Sequence, residues 1–400
     1  MRFLTLALFV QKYGGTSVGT LERIKAVAEH LSSIHKAGHK LLVVVSAMGQ
    51  QTDELLDMAL DLNDQPPQRE LDMLLSAGER ISMSLLAIAL SKLEVPTVSF
   101  TGSQSGILTD NVFGNARIIR ILGDRIKRAL ELEKIVIVAG FQGMSELEKE
   151  ITTLGRGGSD LTAIALAHTL QADRCQIFKD VDGVCSADPR LVQSAKILPF
   201  LSWDSLNHLT WFGSGVVHNR GVHLSKKFRI PLEIRSSFNL NTQGTLIGGR
   251  KEVENAIVYA LTHRTDLIWL KIYNLSQFSS HLTFKALAAM GEHPLYFIHS
   301  RVHNKDCLDL VISQKHLANL QETLNQSEKG LVYETQVQNL ACLTLVGDGF
   351  WQDATILKKS ATALSKSPVL VDYKNAFLNL FIEKEGLSDA IAALHAEFFN

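Results

Sequence analysis

Short apolar runs alternate with segments of helical periodicity over about the first 250 residues of the chain. The runs are rich in β-branched residues and bounded by turn residues, as is typical of buried strands. They are LALFVQ (6–11), KLLVVVS (40–46), PTVSF (96–100), KIVIVAG (134–140), CQIFKD (175–180) and PLEIRSS (231–237). Between them lie helical segments such as LERIKAVAEHLSSIHKAG (21–38) and LDMLLSAGERISMSLLAIALSKL (71–93). The pattern predicts an α/β domain with a mainly parallel sheet covered by helices on both faces.

The alternation ends near residue 250, where NTQGTLIGGR (241–250) is glycine-rich and predicts the exit from this domain. Two later segments, 267–300 and 343–373, each have the order strand, loop, helix, strand. They form a weak internal repeat of α+β modules. We therefore expect one large domain over residues 1–250 and two modules over residues 257–335 and 336–400.

Composition excludes several classes of protein. The chain has 400 residues, 46% of them hydrophobic and 20% charged, which suits two or three globular domains. The net charge of −1 favours neither nucleic acid nor an anionic membrane as partner. The opening MRFLTLALFV predicts a first strand rather than a signal peptide, and we expect no apolar run long enough to span a bilayer. Four widely spaced cysteines predict no disulfide framework, no metal site and a cytoplasmic location.

A first glycine loop, TTLGRGGSD (152–160), directly precedes the apolar stretch LTAIALAHTL. Glycines allow close backbone approach to a ligand, and the following helix offers unpaired N–H groups to an anion. Ser159 or Asp160 can cap that helix, which is apolar nearly all round and therefore buried. Arg156 adds a planar fork suited to a carboxylate or phosphate. The alternative is a structural glycine turn with a solvated arginine.

Two further loops follow predicted strands. VQKYGGTSVGT (10–20) places Lys12, Gly14 and Gly15 between a strand and a helix, which indicates a phosphate cradle with a lysine. FKDVDGVCSADPR (178–190) carries three aspartates that could hold a cation or a nucleotide, or simply form an acidic turn. Two glycine loops in one parallel sheet suggest two anionic ligands, or one ligand and a transferred phosphoryl group.

The sequence contains no obvious Ser-His-Asp set and no paired-carboxylate hydrolase signature. A carboxylate acceptor would need no general base, because its pKa of about 3.9 leaves it ionised at neutral pH. Catalysis would then consist of positioning and of charge neutralisation by lysine, backbone N–H groups and Mg²⁺.

These loops together resemble the aspartate kinases of the amino-acid kinase family. The motifs that carry the resemblance are KYGGTSVG (12–19), VVVSAMGQQTDELL (43–56), LLSAGERIS (74–82), GFQG (140–143), TTLGRGGSD (152–160) and DVDGVCSADPR (180–190). The resemblance covers about residues 8–250, and the C-terminal segments look like the tandem ACT modules of the same enzymes. It implies a three-layer α/β sandwich followed by two ACT-like modules, with transfer of the ATP γ-phosphoryl group to L-aspartate, the first step toward lysine, threonine and methionine.

The resemblance also implies roles for individual residues. Lys12 matches the lysine that contacts the transferred phosphoryl group, and Asp160 matches an aspartate at the catalytic centre. The positions that match the binding of aspartate are Ser46, Thr52, Glu79, Arg156 and Ser159. The positions that match the binding of ATP are Lys12, Tyr13, Gly14, Gly15, Ser46, Lys179, Asp180, Cys185, Asp188, Arg190 and Gly215. Mg²⁺ is expected to arrive with ATP rather than at a protein metal site.

Two departures from the family pattern fall on the ATP side. Cys185 replaces the usual tyrosine, and Gly215 stands where such enzymes carry a lysine at the start of a later helix, although Lys179, Arg190, His218 or Arg220 could compensate. An alternative is therefore a catalytically weak homologue that acts as a regulatory or structural subunit; a kinase of another acidic amino acid is a third possibility. The segments that match the ACT ligand loops, 274–280 and 347–353, lack proline. We expect weak inhibition, or none, by lysine or threonine as effector, and a homodimer formed through these modules.

Overall fold

The computed structural model describes residues 7–240, 242–249, 257–275, 277–290, 293–302, 305–327 and 330–399. Its contacts divide the chain into two compact units. The first unit consists of Met1–Val184, Ile197–Asn207 and Gly215–Lys251. The second consists of Cys185–Lys196, His208–Ser214 and Glu252–Asn400. The predicted exit near residue 250 lies outside the described residues, and two segments within the predicted 1–250 domain belong to the second unit.

Twelve strands and eight helices are described between residues 7 and 249. The strands are β1 (Leu8–Tyr13), β2 (Lys40–Val45), β3 (Thr97–Phe100), β4 (Ile107–Thr109), β5 (Ile118–Ile121), β6 (Ile135–Ala139), β7 (Gln142–Ser145), β8 (Ile151–Thr153), β9 (Arg174–Lys179), β10 (Phe200–Ser202), β11 (Leu232–Ser236) and β12 (Thr245–Gly248). The helices are α1 (Leu21–Lys36), α2 (Gln51–Leu62), α3 (Gln68–Leu75), α4 (Ala77–Lys92), α5 (Asp124–Glu131), α6 (Gly158–Thr169), α7 (Trp203–Trp211) and α8 (Asn219–Phe228).

The main sheet of the first unit has eight strands in the order β10-β12-β11-β9-β1-β2-β6-β3. Every pairing is parallel except β11 with β12. All six strands predicted from the apolar runs are present, and all six lie in this sheet. The predicted mainly parallel sheet is therefore confirmed.

Helices cover both faces of the main sheet. On one face α1 and α4 enclose a core that includes Tyr13, Val43, Ile137 and Phe178, all at most 1% exposed. On the other face α5 and α6 pack against the central strands, and α8 packs against α6. Because successive strand residues point to opposite faces, Tyr13 enters the first core while its neighbour Lys12 faces α6. This alternation places the lysine beside the start of a helix.

The second predicted helix is broken. α3 ends at Leu75 and α4 begins at Ala77, and Ser76 between them keeps a right-handed helical backbone, with φ of −62° and ψ of −14°. The combined segment Gln68–Lys92 is long and apolar enough, by length and composition alone, to cross a membrane. The expectation that no such run exists was therefore wrong. However, α4 contributes Met83, Leu86 and Leu90 to the core against the main sheet, as a core helix does.

The sequence did not predict a second, four-stranded sheet in the order β5-β4-β7-β8. Its strands have only three or four residues, too few for a period of two to emerge. The segment predicted as the exit from the domain, residues 241–250, contains a strand that the sequence did not predict. Residues 245–248 form β12, which pairs with β10 and β11 inside the main sheet.

The C-terminal region forms one antiparallel sheet in the order β14-β15-β13-β16-β18-β17. Its strands are β13 (Ile257–Leu275), β14 (Tyr296–Val302), β15 (Lys305–Ser313), β16 (Val332–Asp348), β17 (Leu370–Tyr373) and β18 (Phe377–Glu383). Its helices are α9 (Gln277–Ala289), α10 (Leu317–Ser327), α11 (Thr355–Ala363) and α12 (Leu387–Phe399). The strand, helix, strand order predicted for both segments is present. β16 runs through the predicted module boundary between residues 335 and 336, so the repeats share one sheet.

Segment 185–196 is part of the core of the second unit. Ala187 and Val192 pack with Phe350, Ile391 and Leu394. The buried Ser186 is 2.9 Å from His395 Nε2, and its carbonyl accepts a 2.7 Å hydrogen bond from the Leu261 N–H. The chain thus leaves the first unit after Val184, contributes to the second, and returns at Ile197.

Candidate active site

Four parallel strands, β9, β1, β2 and β6, end side by side in the main sheet. The loops that follow them begin at Asp180, Gly14, Ser46 and Gly140. Ligands of open α/β sheets bind beyond the carboxyl ends of the strands. The parts of the sequence motifs that follow these strands within the first unit therefore lie at one edge of that unit.

A buried charge cluster lies at this edge. Lys12 Nζ is 2.8 Å from Asp160 Oδ1, and Lys179 Nζ is 3.4 Å from Asp160 Oδ2. The side chains of Lys12 and Asp160 are only 6% and 3% exposed. Burial opposes ionisation of Asp160, but Lys12 and Lys179 prevail and lower its pKa to about 2. Burial lowers the pKa of Lys12 to about 8 against the opposing effect of Asp160, so the ammonium group is still mostly protonated at pH 7.

The helix that carries Asp160 is α6. Residues 158–167 of this helix are all buried, as its apolar surface predicted. The prediction that Ser159 or Asp160 caps it was wrong, because the N-cap is Gly157 and both side chains lie in the first turn. Gly157 has φ of +71°, a left-handed conformation that glycine adopts without strain. Ser159 and Asp160 are therefore free of the capping role and remain at the positive end of the helix dipole.

Glycines let the site elements approach each other closely. A Cβ at Gly140 would lie 2.7 Å from Ser159 Oγ, so the end of β6 and the first turn of α6 meet only because that atom is missing. A Cβ at Gly15 would lie 3.0 Å from the carbonyl oxygens of Ala47 and Gly49. The Gly49 N–H donates to the Gly15 carbonyl over 3.1 Å, which joins the loops after β1 and β2.

Glu79 occupies the first turn of α4 and is 3% exposed. One of its oxygens, Oε1, accepts a 3.0 Å hydrogen bond from the Ala47 N–H. Burial raises the pKa of this carboxyl to about 7, partly opposed by Lys12. Among the described residues Oε2 has no hydrogen-bond partner, although it is buried. A buried carboxylate oxygen that is left unsatisfied suits a ligand carrying a cation.

The other predicted aspartate-side residues line the same edge. The Ser46 N–H donates to the Tyr13 carbonyl over 3.1 Å, while the Ser46 carbonyl accepts from Ser82 Oγ over 2.7 Å. Thr52 is half-buried in the first turn of α2, and Ser159 is 7% exposed. Arg156 is exposed in the loop before α6, where a bound anion could reach it.

The predicted nucleotide-side residues divide between the two units. Gly14, Gly15, Lys179, Asp180 and Gly215 belong to the first unit, and Asp180 and Gly215 are exposed. Cys185, Asp188 and Arg190 belong to the second unit, where the Asp188 carboxylate pairs with the Arg190 guanidinium over 2.7 Å.

Two expectations on the nucleotide side require correction. The side chain of Tyr13 cannot contact a nucleotide, because it is 1% exposed and stacks on Phe178 with ring centroids 4.7 Å apart. Its carbonyl is engaged as well, because it accepts a hydrogen bond from the Ser46 N–H. Gly215 does not stand at a helix start, because α8 begins at Asn219 after the N-cap residue His218. A Cβ at Gly215 would meet no heavy atom within 4 Å.

Sequence reasoning missed Asp72. Its carboxylate is fully buried and accepts hydrogen bonds from the Gly114 N–H and from the N–H and hydroxyl of Thr153, at 2.7 to 3.0 Å. An isolated aspartate among the polar positions of a predicted helix does not indicate that its carboxylate is buried or which groups it binds. Only its position inside the motif-bearing region could have drawn attention to it.

Known proteins match this chain both in sequence and in structure. The model of the amino acid kinase family matches residues 7–236. Aspartokinase 2 of Bacillus subtilis is 37% identical over 401 aligned residues, covering 98% of each chain. The crystal structure of E. coli aspartokinase III with aspartate and ADP covers 98% of this chain and 100% of its own, with 23% identity and a TM-score of 0.83. The same enzyme with lysine and aspartate gives a TM-score of 0.75 at 23% identity, with the same coverage.

The structural likeness supports the fold, and the sequence matches extend over the charge cluster and over 98% of a relative. The chain therefore belongs to the amino acid kinase family and, within that family, to the aspartokinases.

Proposed function

We propose that this protein is an aspartate kinase that transfers the γ-phosphoryl group of ATP to the β-carboxylate of L-aspartate. The observation that carries the proposal is the Lys12–Asp160–Lys179 cluster at the carboxyl end of β1 and the start of α6, in a member of the aspartokinases. Its product is 4-phospho-L-aspartate, an acyl phosphate at the head of lysine, threonine and methionine biosynthesis.

The chemistry requires positioning more than proton transfer. One oxygen of the β-carboxylate attacks the γ-phosphorus, the bond from that phosphorus to the bridging oxygen breaks, and ADP leaves with the electron pair. The acceptor is already ionised at neutral pH, so no base removes a proton. Lys12 neutralises negative charge on the oxygens of the transferred phosphoryl group in the transition state. Asp160 holds both Lys12 and Lys179 in place. Mg²⁺ is proposed to enter with ATP, as part of that substrate.

We assign the substrate subsites from the chemistry of the side chains. The Arg156 guanidinium and the Ser159 hydroxyl suit a carboxylate, whereas the Glu79 carboxylate, with one unsatisfied oxygen, suits the α-ammonium group. Lys179 and the backbone of Gly14 and Gly15 suit ATP phosphates. The aspartate and ADP bound by the E. coli neighbour support the same pair of ligands here.

The ionisation of Glu79 predicts a pH dependence of aspartate binding. Burial raises the pKa of this carboxyl to about 7, so it is mainly protonated at pH 6 and mainly ionised at pH 8. Only the ionised form attracts the α-ammonium group. We expect the KM for aspartate to rise about tenfold as the pH falls from about 8 to 6, because the ionised fraction of Glu79 falls by about the same factor.

Steady-state rates at saturating ATP across this pH range measure the effect. Glu79→Gln is the matched variant, since it keeps the shape but cannot ionise. Its KM for aspartate should be raised and nearly independent of pH. A wild-type KM that does not change over the range would remove Glu79 from the ammonium subsite.

The direct test of the proposed function is an ATP-dependent hydroxamate assay with aspartate and glutamate side by side. Hydroxylamine traps an acyl phosphate, so hydroxamate should form with aspartate and not with glutamate. Product from glutamate alone would reassign the substrate.

A Gly215→Lys substitution separates an active kinase from a weak homologue. The structure has room for the side chain, because a Cβ at this exposed position would meet nothing within 4 Å. We expect the wild-type protein to be active with a high KM for ATP, which the added cation lowers about 10- to 150-fold through a charge-assisted hydrogen bond of about 1.5–3 kcal/mol.

Initial rates against ATP concentration at saturating aspartate provide the measurement, with Gly215→Ala as the uncharged control. If neither the wild-type protein nor Gly215→Lys turns over, the protein is a regulatory or structural homologue. If the wild-type protein already binds ATP tightly, another cation serves in place of the missing lysine.

The remaining assignments concern the C-terminal region. We propose that the sheet of β13 to β18 contains two ACT-like modules that mediate homodimerisation, and that the protein is cytoplasmic. Part of the first matching ligand loop, 274–280, lies outside the described residues. The E. coli neighbour binds lysine, which makes lysine the effector to test first, with threonine as the second.

A further inference from the structure

Arg220, in the first turn of α8, joins three chain segments. Its guanidinium donates to the carbonyl of Leu154, to Asn115 Oδ1 over 2.7 Å and to the carbonyl of Ala116 over 3.0 Å. Leu154 connects β8 to the glycine loop before α6, whereas Asn115 and Ala116 lie between β4 and β5. Because its donors are engaged in this way, Arg220 is not the cation that replaces the missing lysine on the ATP side.

A second charged group holds the same segments from α3. The buried Asp72 carboxylate accepts from the Gly114 N–H at 3.0 Å and from the Thr153 N–H at 2.8 Å. A direct 2.9 Å hydrogen bond from the Ala116 N–H to the Thr153 carbonyl lies between the two charged side chains. The start of the glycine loop is therefore fixed by an arginine, a carboxylate and a backbone contact.

The glycine loop needs such support. Gly155 and Gly157 both have positive φ, at +73° and +71°, and glycine loses more backbone freedom on ordering than any other residue. Between and after them stand Arg156 and Ser159, the side chains proposed for the substrate carboxylate. A displacement of the loop of about 1 Å would misplace both groups and can lower catalytic efficiency about 100-fold.

We propose that Arg220 is a positioning residue for aspartate: it fixes the loop of residues 154–158 against residues 114–116, so that Arg156 and Ser159 are held in the geometry that binds the substrate carboxylate. The identity of the substrate in this inference rests on the proposed function, whereas the contacts of Arg220 do not. Arginine is required because its planar fork reaches acceptors on two segments at once, which the single ammonium of lysine cannot do.

Arg220→Met tests the proposal, since it keeps an unbranched side chain and removes the donors. The expected result is a 10- to 100-fold higher KM for aspartate, with the KM for ATP unchanged. Arg220→Lys should lie between the wild-type protein and Arg220→Met. Added guanidinium ion at millimolar concentration should partly restore Arg220→Ala, which a general loss of stability would not allow. Lys226→Met is the matched control, because Lys226 lies on the same helix in an exposed pair with Asp204.

Hydrogen exchange of the substrate-free protein provides an independent measurement. Amides of residues 110–118 and 153–160 should exchange faster in Arg220→Met than in the wild-type protein or in Lys226→Met. Asn115→Ala removes one acceptor of the Arg220 guanidinium. It should increase the exchange rate and the KM for aspartate as Arg220→Met does, but by smaller amounts. This variant replaces Arg220→Met in the test if Arg220→Met does not fold. If the wild-type protein does not phosphorylate aspartate while exchange responds as expected, the proposed function fails and the support of the loop stands. Unchanged exchange and an unchanged KM for aspartate in a folded Arg220→Met would overturn the inference.

Discussion

Replacement of Lys12 by alanine is expected to lower kcat at least about 10²- to 10³-fold while lowering the affinity for aspartate far less. The reason is the position of its ammonium group: 2.8 Å from Asp160, almost fully buried, and beside the glycine turn after β1. At so buried a site the ammonium charge of Lys12 interacts strongly with the charges of the transition state, because little water screens it. The substrate carboxylate, by contrast, is assigned to Arg156 and Ser159.

Turnover by the hydroxamate assay and aspartate affinity by calorimetry separate the two effects. Lys12→Met retains the aliphatic stem and should be equally slow, which excludes a cavity as the cause. Lys40→Ala, at the exposed start of β2, is the control for removal of a lysine from the same sheet. Near-normal turnover in Lys12→Ala would disprove the assignment of this lysine to the phosphoryl group.

The second large effect is expected for Asp160→Asn, which should lose both activity and stability. Lys12 would keep its burial, which lowers its pKa, but lose the carboxylate that opposes this shift. It would therefore tend to be neutral at pH 7 and unable to serve the phosphoryl group. Breaking a buried ion pair by removing one partner typically costs about 3–5 kcal/mol of stability.

Denaturant unfolding and kcat, measured on the same preparations, test this expectation. The double variant Lys12→Met/Asp160→Leu replaces the ion pair by apolar side chains and should recover most of the stability without any activity. Stability and catalysis then separate at one site. Asp160→Asn with a stability and a rate close to those of the wild-type protein would show that the cluster is not the catalytic centre.

The elements that the sequence predicted well are those whose structure is determined by residues close to one another along the chain. Six apolar runs were long enough to predict strands of the main sheet, and the uniformly apolar surface of α6 indicated that this helix is buried. The Lys12 turn and the loop before α6 were found because strand, glycine and helix follow each other within a few residues.

What was missed depends on partners distant in sequence. Nothing near Asp72 indicates that its carboxylate meets Thr153, 81 positions later, and nothing near Arg220 indicates Leu154. The strands of the smaller sheet, with three or four residues each, are set by tertiary pairing rather than by periodicity. The cap of α6 was misassigned because Ser and Asp are good caps, whereas the left-handed Gly157 is fixed by the packing of His218 against it.

The passage of residues 185–196 into the second unit has a consequence for synthesis on the ribosome. Ala187 and Val192 emerge about 200 residues before Ile391 and Leu394, a delay of roughly 10–40 s at ordinary rates of translation. Throughout that interval Ala187 and Val192 lack α12, the helix that completes the core in which they are buried. A chain released early, or a gene cut near residue 250 to isolate the kinase half, would lack the partners of Ala187 and Val192, and we expect that fragment to be less stable and more prone to aggregation than the full chain.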